Sequence, residues 1–215
     1  MNGIRQRRAA GAALITAGGV YFVAEFIAAA AWTDPAYSYT HHFISNLGVH
    51  GPLTAFGQYM YSPLAVVMNI GILLVGPAAL LGVTLLRGLP GVRRTALIVT
   101  AAVMAAGMAL VAFFPGSGDD GGTDYHGLGA ALAFIVGNIV SILIGRNSRF
   151  LGLSPRLGRI LVLFGIVGLV SLVAFAAILA SGAGVLIGLS ERGIIYPFLA
   201  GFILTGAAIR KQAGR

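Results

Sequence analysis

The chain has no cysteine. That removes disulfides, thiolate metal sites and cysteine nucleophiles together. It also has very little charge, 9% of 215 residues, where a soluble domain carries about 25%. So few charges could not cover a water-facing surface of that size. Disorder is excluded for the opposite reason, because a disordered chain needs low hydrophobicity and high charge, and here 58% of residues are hydrophobic. Heptads, low-complexity tails and internal repeats are missing too. What remains is a polytopic membrane protein. Its mean hydropathy of +0.92 and its 32 glycines suit that class, since glycine is common in membrane helices.

Six apolar runs are long enough for a span, which takes roughly 20 residues. They lie at about 9–31, 56–86, 95–114, 126–144, 158–180 and 191–209. The second holds Pro63 and Pro77 and is over-long, so it implies a strong tilt or first turns in the interface. The first run is longer than a secretory signal and contains Glu25, so it is expected to be retained. The fold class expected is all-α. One domain, residues 1–215, forms a bundle of six transmembrane helices, with a short interfacial helix in the first outer loop.

Orientation follows from the basic residues. With the N-terminus cytoplasmic, Arg5, Arg7 and Arg8, Arg87, Arg93 and Arg94, Arg146, Arg149, Arg156 and Arg159, and Arg210, Lys211 and Arg215 all fall inside. Only Arg192 falls outside. The expected topology is therefore N-in and C-in, in the cell membrane. The net charge of +8 belongs to these clusters, which face anionic lipid and give no reason to expect nucleic acid.

The acids and histidines follow the opposite rule. His41, His42, His50, His126, Asp34, Asp119, Asp120, Asp124, Glu191 and Arg192 all lie on the outer side, and Glu25 sits in the outer third of the first span. Four pieces stand out. In His41–Gly48, a helix would place His42 one turn from Ser45 and four residues from Asn46, a base near a nucleophile. Asp124 is placed to cap the fourth span, with His126 in its first turn. Ser190 is placed to cap the sixth span, and Glu191 suits its positive end. Glu25 is costly inside a membrane and needs a partner, Arg192 or a histidine. Mid-span Asn69, Asn138 and Ser141 are expected to bond between helices, and Met104 and Met108 to pack in the core. The Gly/Asp stretch Gly116–Thr123 is expected to be a flexible outer loop.

Three of these pieces carry a resemblance. His42–Gly48 fits H-x-I-S-x-L-G, His126–Ala130 fits H-G-x-G-A, and Glu191–Arg192 opens the last span. Together they resemble the bacterial and archaeal six-span family catalogued as a domain of unknown function, DUF nine-nine-eight, over essentially the whole chain. The same places are more distantly similar to the eukaryotic Frag/DRAM/Sfk membrane family, although Arg192 stands where that family often has an aromatic residue. The resemblance implies six spans. Through the wider group it also implies a link to lipid remodelling and membrane stress.

Two readings of function stand, with a third behind them. In the first, the protein is an enzyme acting on lipids or lipid-linked groups. His42, Ser45 and Glu191 are then the catalytic candidates. Glu25, Asn46 and Arg192 are the substrate-binding candidates, with Arg192 suited to a phosphate or carboxylate head. His42, Asp124 and His126 are the candidate ligands of a divalent metal such as zinc. In the second, the same cluster holds a lipid head without chemistry. In the third, Glu25 and His126 carry protons in a small transporter, though the inner side offers no acid or histidine to end such a path. Membrane lipids are the expected partners, and a homo-oligomer is left open.

Overall fold

The computed structural model describes residues 3–116 and 124–214. Six helices among them are long and apolar enough to cross a membrane. These are α1 (Gly3–Ala31), α2 (Ala65–Thr84), α3 (Gly91–Phe113), α4 (Tyr125–Arg146), α6 (Pro155–Ser181) and α7 (Ile187–Gln212). A single-turn α5 (Ser148–Leu151) joins α4 to α6. The protein is a multi-pass membrane protein by this measure. The stretch containing Asp119 and Asp120 lies outside the described residues, as does Arg215.

Local chemistry sets the helix ends. The Asp124 carboxylate accepts the Gly127 amide at 2.7 Å and caps α4. Ser154 caps α6, with Pro155 in the first turn, and Gly182 closes it in the left-handed conformation. Pro90 precedes α3.

The second expected span is shorter than its hydrophobic run. Its first residues form a hairpin, β1 (Leu53–Ala55) with β2 (Gln58–Met60). Phe56 and Gly57 between them both have positive φ, 52° and 70°, as a two-residue turn of the mirror-image type requires. Apolar composition cannot separate such a hairpin from a helix. A second difference lies just before it. In place of an interfacial helix at His41–Gly48 there is one 3-10 turn, Ser45–Gly48. His42 is therefore not one helical turn from Ser45.

The helices close a ring. α1 packs on α2 and α7, α2 on α3, α3 on α4, α4 on α6, and α6 on α7, while α4 also touches α7. α7 is the most buried of the six and α6 the least. The α1–α7 seam is close because Gly11 faces Gly206. A Cβ on Gly11 would stand 2.6 Å from the Gly206 carbonyl oxygen, so only small residues allow this approach. Inside the bundle, Asn138 donates to the Phe134 and Ile194 carbonyls and Ser141 to the Leu161 carbonyl. Met104 and Met108 are buried in the core.

The two ends of the bundle differ in chemistry. At one end the helix termini carry arginines. Arg7 donates to Gln212 at 3.1 Å and Arg93 to Asn147 at 3.0 Å. At the other end lie the segment between α1 and α2 and the starts of α4 and α7.

Candidate functional site

Arg192, near the start of α7, organises the second end. Its Nη2 donates to Glu25 Oε1 at 2.8 Å and to the Tyr37 hydroxyl at 2.6 Å. Its Nε donates to Glu25 Oε1 at 3.1 Å and to the Tyr196 hydroxyl at 3.2 Å. Its Nη1 donates to the carbonyls of Tyr39 at 2.6 Å and Gly188 at 3.0 Å. Tyr196 in turn donates to Glu25 at 2.9 Å. The ring of Tyr39 lies 4.6 Å from the guanidinium carbon. Every edge of the guanidinium is engaged, and the pair is buried. The expected partnership of Glu25 with Arg192 is therefore present. Its neighbours Tyr37, Tyr39 and Tyr196 are residues that sequence reasoning missed.

Tyr37 also ties the loop to itself. Its hydroxyl donates to the Phe43 carbonyl at 3.0 Å, and burial pushes its phenol well above the usual range, so the proton stays on. His42 stacks on Trp32, with ring centroids 5.5 Å apart. Its Nδ1 accepts the Ser38 amide at 3.0 Å. Burial and the neighbouring His41 and Arg192 charges hold its pKa below the usual histidine value.

Glu191 is buried one residue before Arg192. Its carboxylate accepts the Ile44 amide at 2.5 Å. Gln58, in the hairpin, completes the frame. Its side chain accepts from Asn46 at 2.6 Å and from the Phe43 amide, and donates to the His41 carbonyl at 2.6 Å. Gln58 lay unnoticed in an apolar run. A lone amide within such a run was the only signal available.

Behind this frame is a cavity of about 320 Å³ between the loop, the hairpin, α4, α6 and α7. Phe43, Phe56, Phe134, Leu172 and Phe175 form its apolar walls. Ser45, Asn46, Asp124, His126 and Glu191 supply its polar edge. A recess of about 30 Å³ adjoins it and shares Ser45, His126 and Glu191. His126 Nδ1 lies 2.8 Å from the Phe114 carbonyl oxygen. A carbonyl only accepts, so Nδ1 carries the proton and Nε2 of the neutral ring is an acceptor. A larger groove of about 510 Å³ lies along α2 and α3. Its polar side chains are only His50 and Asn69, and the Asn69 amide already donates to the Gly48 carbonyl.

The candidate residues thus divide into two groups. Ser45, Asn46, Asp124, His126 and Glu191 share the cavity. Glu25, Arg192 and His42 line neither the cavity nor its recess. The histidine sharing space with Ser45 is His126 on α4, where the helical spacing pointed to His42. His42, Asp124 and His126 are not gathered as a ligand set, and no three His, Asp or Glu side chains among the described residues are grouped to hold a metal ion.

One comparison bears on identity, a family model matching residues 9–208. The chain belongs to the family described as Protein of unknown function (DUF998). The DUF998 match takes in most or all of each of the six long helices and all three quoted motifs. No curated protein and no solved structure matches the chain. Likeness to the Frag/DRAM/Sfk group rests on the quoted residues alone.

Proposed function

We propose that this DUF998 member binds a lipid or lipid-linked molecule at the outer interface of the cell membrane, with both termini cytoplasmic. The observation that carries this reading is the two-sided lining of the 320 Å³ cavity. Aromatic and aliphatic walls suit a hydrocarbon chain, and the polar edge suits a head group. The orientation rests on the arginines at the opposite end. Arg192 and Glu25 act here as a clamp that holds the loop against α7. The test is lipid carried through purification and identified by mass spectrometry. Ala130 lines the cavity, so Ala130→Phe should empty it while Gly19→Ala, in open space on α1, should not. Equal lipid content in both variants would place the lipid elsewhere.

A catalytic reading has one specific observation behind it. Ser45, His126 and Glu191 line both the cavity and the recess, and His126 Nε2 is free of the Phe114 bond. In this reading the Ser45 hydroxyl attacks the carbonyl of a lipid ester while His126 Nε2 takes its proton, the ester C–O bond breaks as His126 returns that proton to the departing alcohol, and water then hydrolyses the acyl-serine. Glu191 is a positioning residue, because it holds the amide of Ile44, next to Ser45. An active-site-directed fluorophosphonate should label wild type and not Ser45→Ala. Labelling that survives Ser45→Ala rules this chemistry out.

A further inference from the structure

The recess behind the cavity is suited to one kind of chemical group. At about 30 Å³ it has room for something the size of a water or a hydroxyl, since about 10–15 Å³ of such volume holds one water. It cannot take a phosphate or a quaternary amine. Its polar lining is Tyr21, Ser45, His126 and Glu191. Glu191 Oε2 already accepts the Ile44 amide, and an ionised carboxylate has further lone pairs but no proton to give. His126 offers Nε2 as an acceptor, its Nδ1 proton lying on the Phe114 carbonyl. Tyr21 differs. It is 1% exposed, and its hydroxyl has no hydrogen-bond partner. A buried hydroxyl left unpaired costs about 1–3 kcal/mol, so this position calls for a ligand atom that accepts.

Charge narrows the choice further. Among the described residues no lysine or arginine lines the cavity or the recess. Arg192 is engaged on every edge. The Glu191 carboxyl lines both the cavity and the recess, and an anionic head would be set against it. The group that satisfies every partner must accept from Tyr21 and donate to Glu191 or His126. A hydroxyl does both.

We propose that the recess is the head-group subsite for a neutral, hydroxyl-bearing lipid, such as a monoacylglycerol. The terminal hydroxyl sits between Tyr21 and Glu191, and the acyl chain lies along Phe134 and Phe175. This rests on the lipid-binding reading above and specifies its ligand.

The experiment uses the full chain in lipid-stripped detergent and three probes with the same oleoyl tail. These are monooleoylglycerol, its di-O-methyl ether, and oleoyl lysophosphatidic acid. Binding is followed by native mass spectrometry in wild type and Tyr21→Phe. Monooleoylglycerol should bind wild type about tenfold tighter than either other probe, the equivalent of one hydrogen bond. In Tyr21→Phe, which loses the donor to the ligand oxygen, monooleoylglycerol should bind about tenfold more weakly than in wild type. If all three probes bind wild type alike, or if Tyr21→Phe binds monooleoylglycerol as tightly as wild type does, the recess holds only water and the head-group assignment falls while lipid binding stands. If no probe binds wild type, both fall together. The comparison of the three probes in wild type decides the matter even if Tyr21→Phe does not fold.

Discussion

Arg192 Nη2 lies 2.8 Å from Glu25 Oε1, and the two side chains are 4% and 2% exposed. The pair joins the first and last helices of the ring. Removing one partner leaves a buried charge uncompensated, which costs about 3–5 kcal/mol. Glu25→Leu and Arg192→Met should each lower the thermal midpoint in detergent markedly. The double variant should recover part of the loss, because no lone charge remains. Two single losses that simply add in the double variant would mean that the pair is not coupled.

Gly188 lies one turn before Arg192, against the loop. A Cβ there would stand 2.1 Å from the His42 carbonyl oxygen. Backbone cannot yield as a flexible side chain would. Gly188→Ala should destabilise by about 1–3 kcal/mol and raise hydrogen exchange in residues 38–45. Gly19→Ala is the control. Nothing lies within 4 Å of its Cβ position, and alanine is the better helix former by about 1 kcal/mol.

His42 predicts a pH dependence of the loop. Its pKa is held below the ordinary value of 6.5 by burial, His41 and Arg192, so the folded loop favours the neutral ring. The unfolded loop takes up its proton first as pH falls, and stability rises with pH wherever the unfolded state binds more protons. The contribution of His42 is therefore complete above about pH 6.5 and is lost below it, as pH falls through the lower folded value. Protonation also ends the bond accepted from the Ser38 amide. The protection of that amide, its exchange relative to the intrinsic rate at each pH, should fall in wild type as pH drops below about 6.5. His42→Phe, which keeps the stacking on Trp32, should remove the change. An unchanged pH profile in that variant would locate the titration elsewhere.

Gln58 fastens the hairpin to the loop through Asn46, Phe43 and His41. Gln58→Ala leaves those partners unsatisfied, at about 1–3 kcal/mol each where water cannot reach them. Limited proteolysis between residues 41 and 60 should become faster, with the helical bundle intact by circular dichroism. Gln58→Glu keeps the acceptor and loses the donor to the His41 carbonyl, so its effect should be smaller.

Much of the fold was legible along the chain. Long apolar runs, their basic flanks and the capping residue Asp124 are local signals, and membrane helices satisfy their backbone locally; Ser190, expected to cap the last span, instead lies inside α7, which begins at Ile187. The second run was misleading because Phe56, Gly57 and Met60 are as apolar as the helix that follows. A hairpin and a helix differ there in backbone angle, and composition does not carry that information. The loop before it was harder still. His42, Ser45 and Asn46 have helical spacing, yet the segment is held by Glu191, Tyr37 and Gln58, which are distant or unremarkable in sequence.

The sequence by itself determined that this is a membrane protein, how many of its helices can cross a membrane, and that its acids and histidines are segregated along the chain from all but one of its basic residues. Those are consequences of hydropathy and charge counted over neighbouring residues. Which of these groups share a cavity was decided only by the tertiary structure. Arg192 could have faced a ligand from its place in the chain, but the packing of α1 against α7 surrounds it with Glu25, Tyr37 and Tyr196. His126, and not His42, lines the cavity that Ser45 lines, because the loop carrying Ser45 is held to Glu191 on α7 and α4 packs against α7. Contacts of that kind depend on how helices far apart in sequence meet, and a single chain of letters holds no direct record of it.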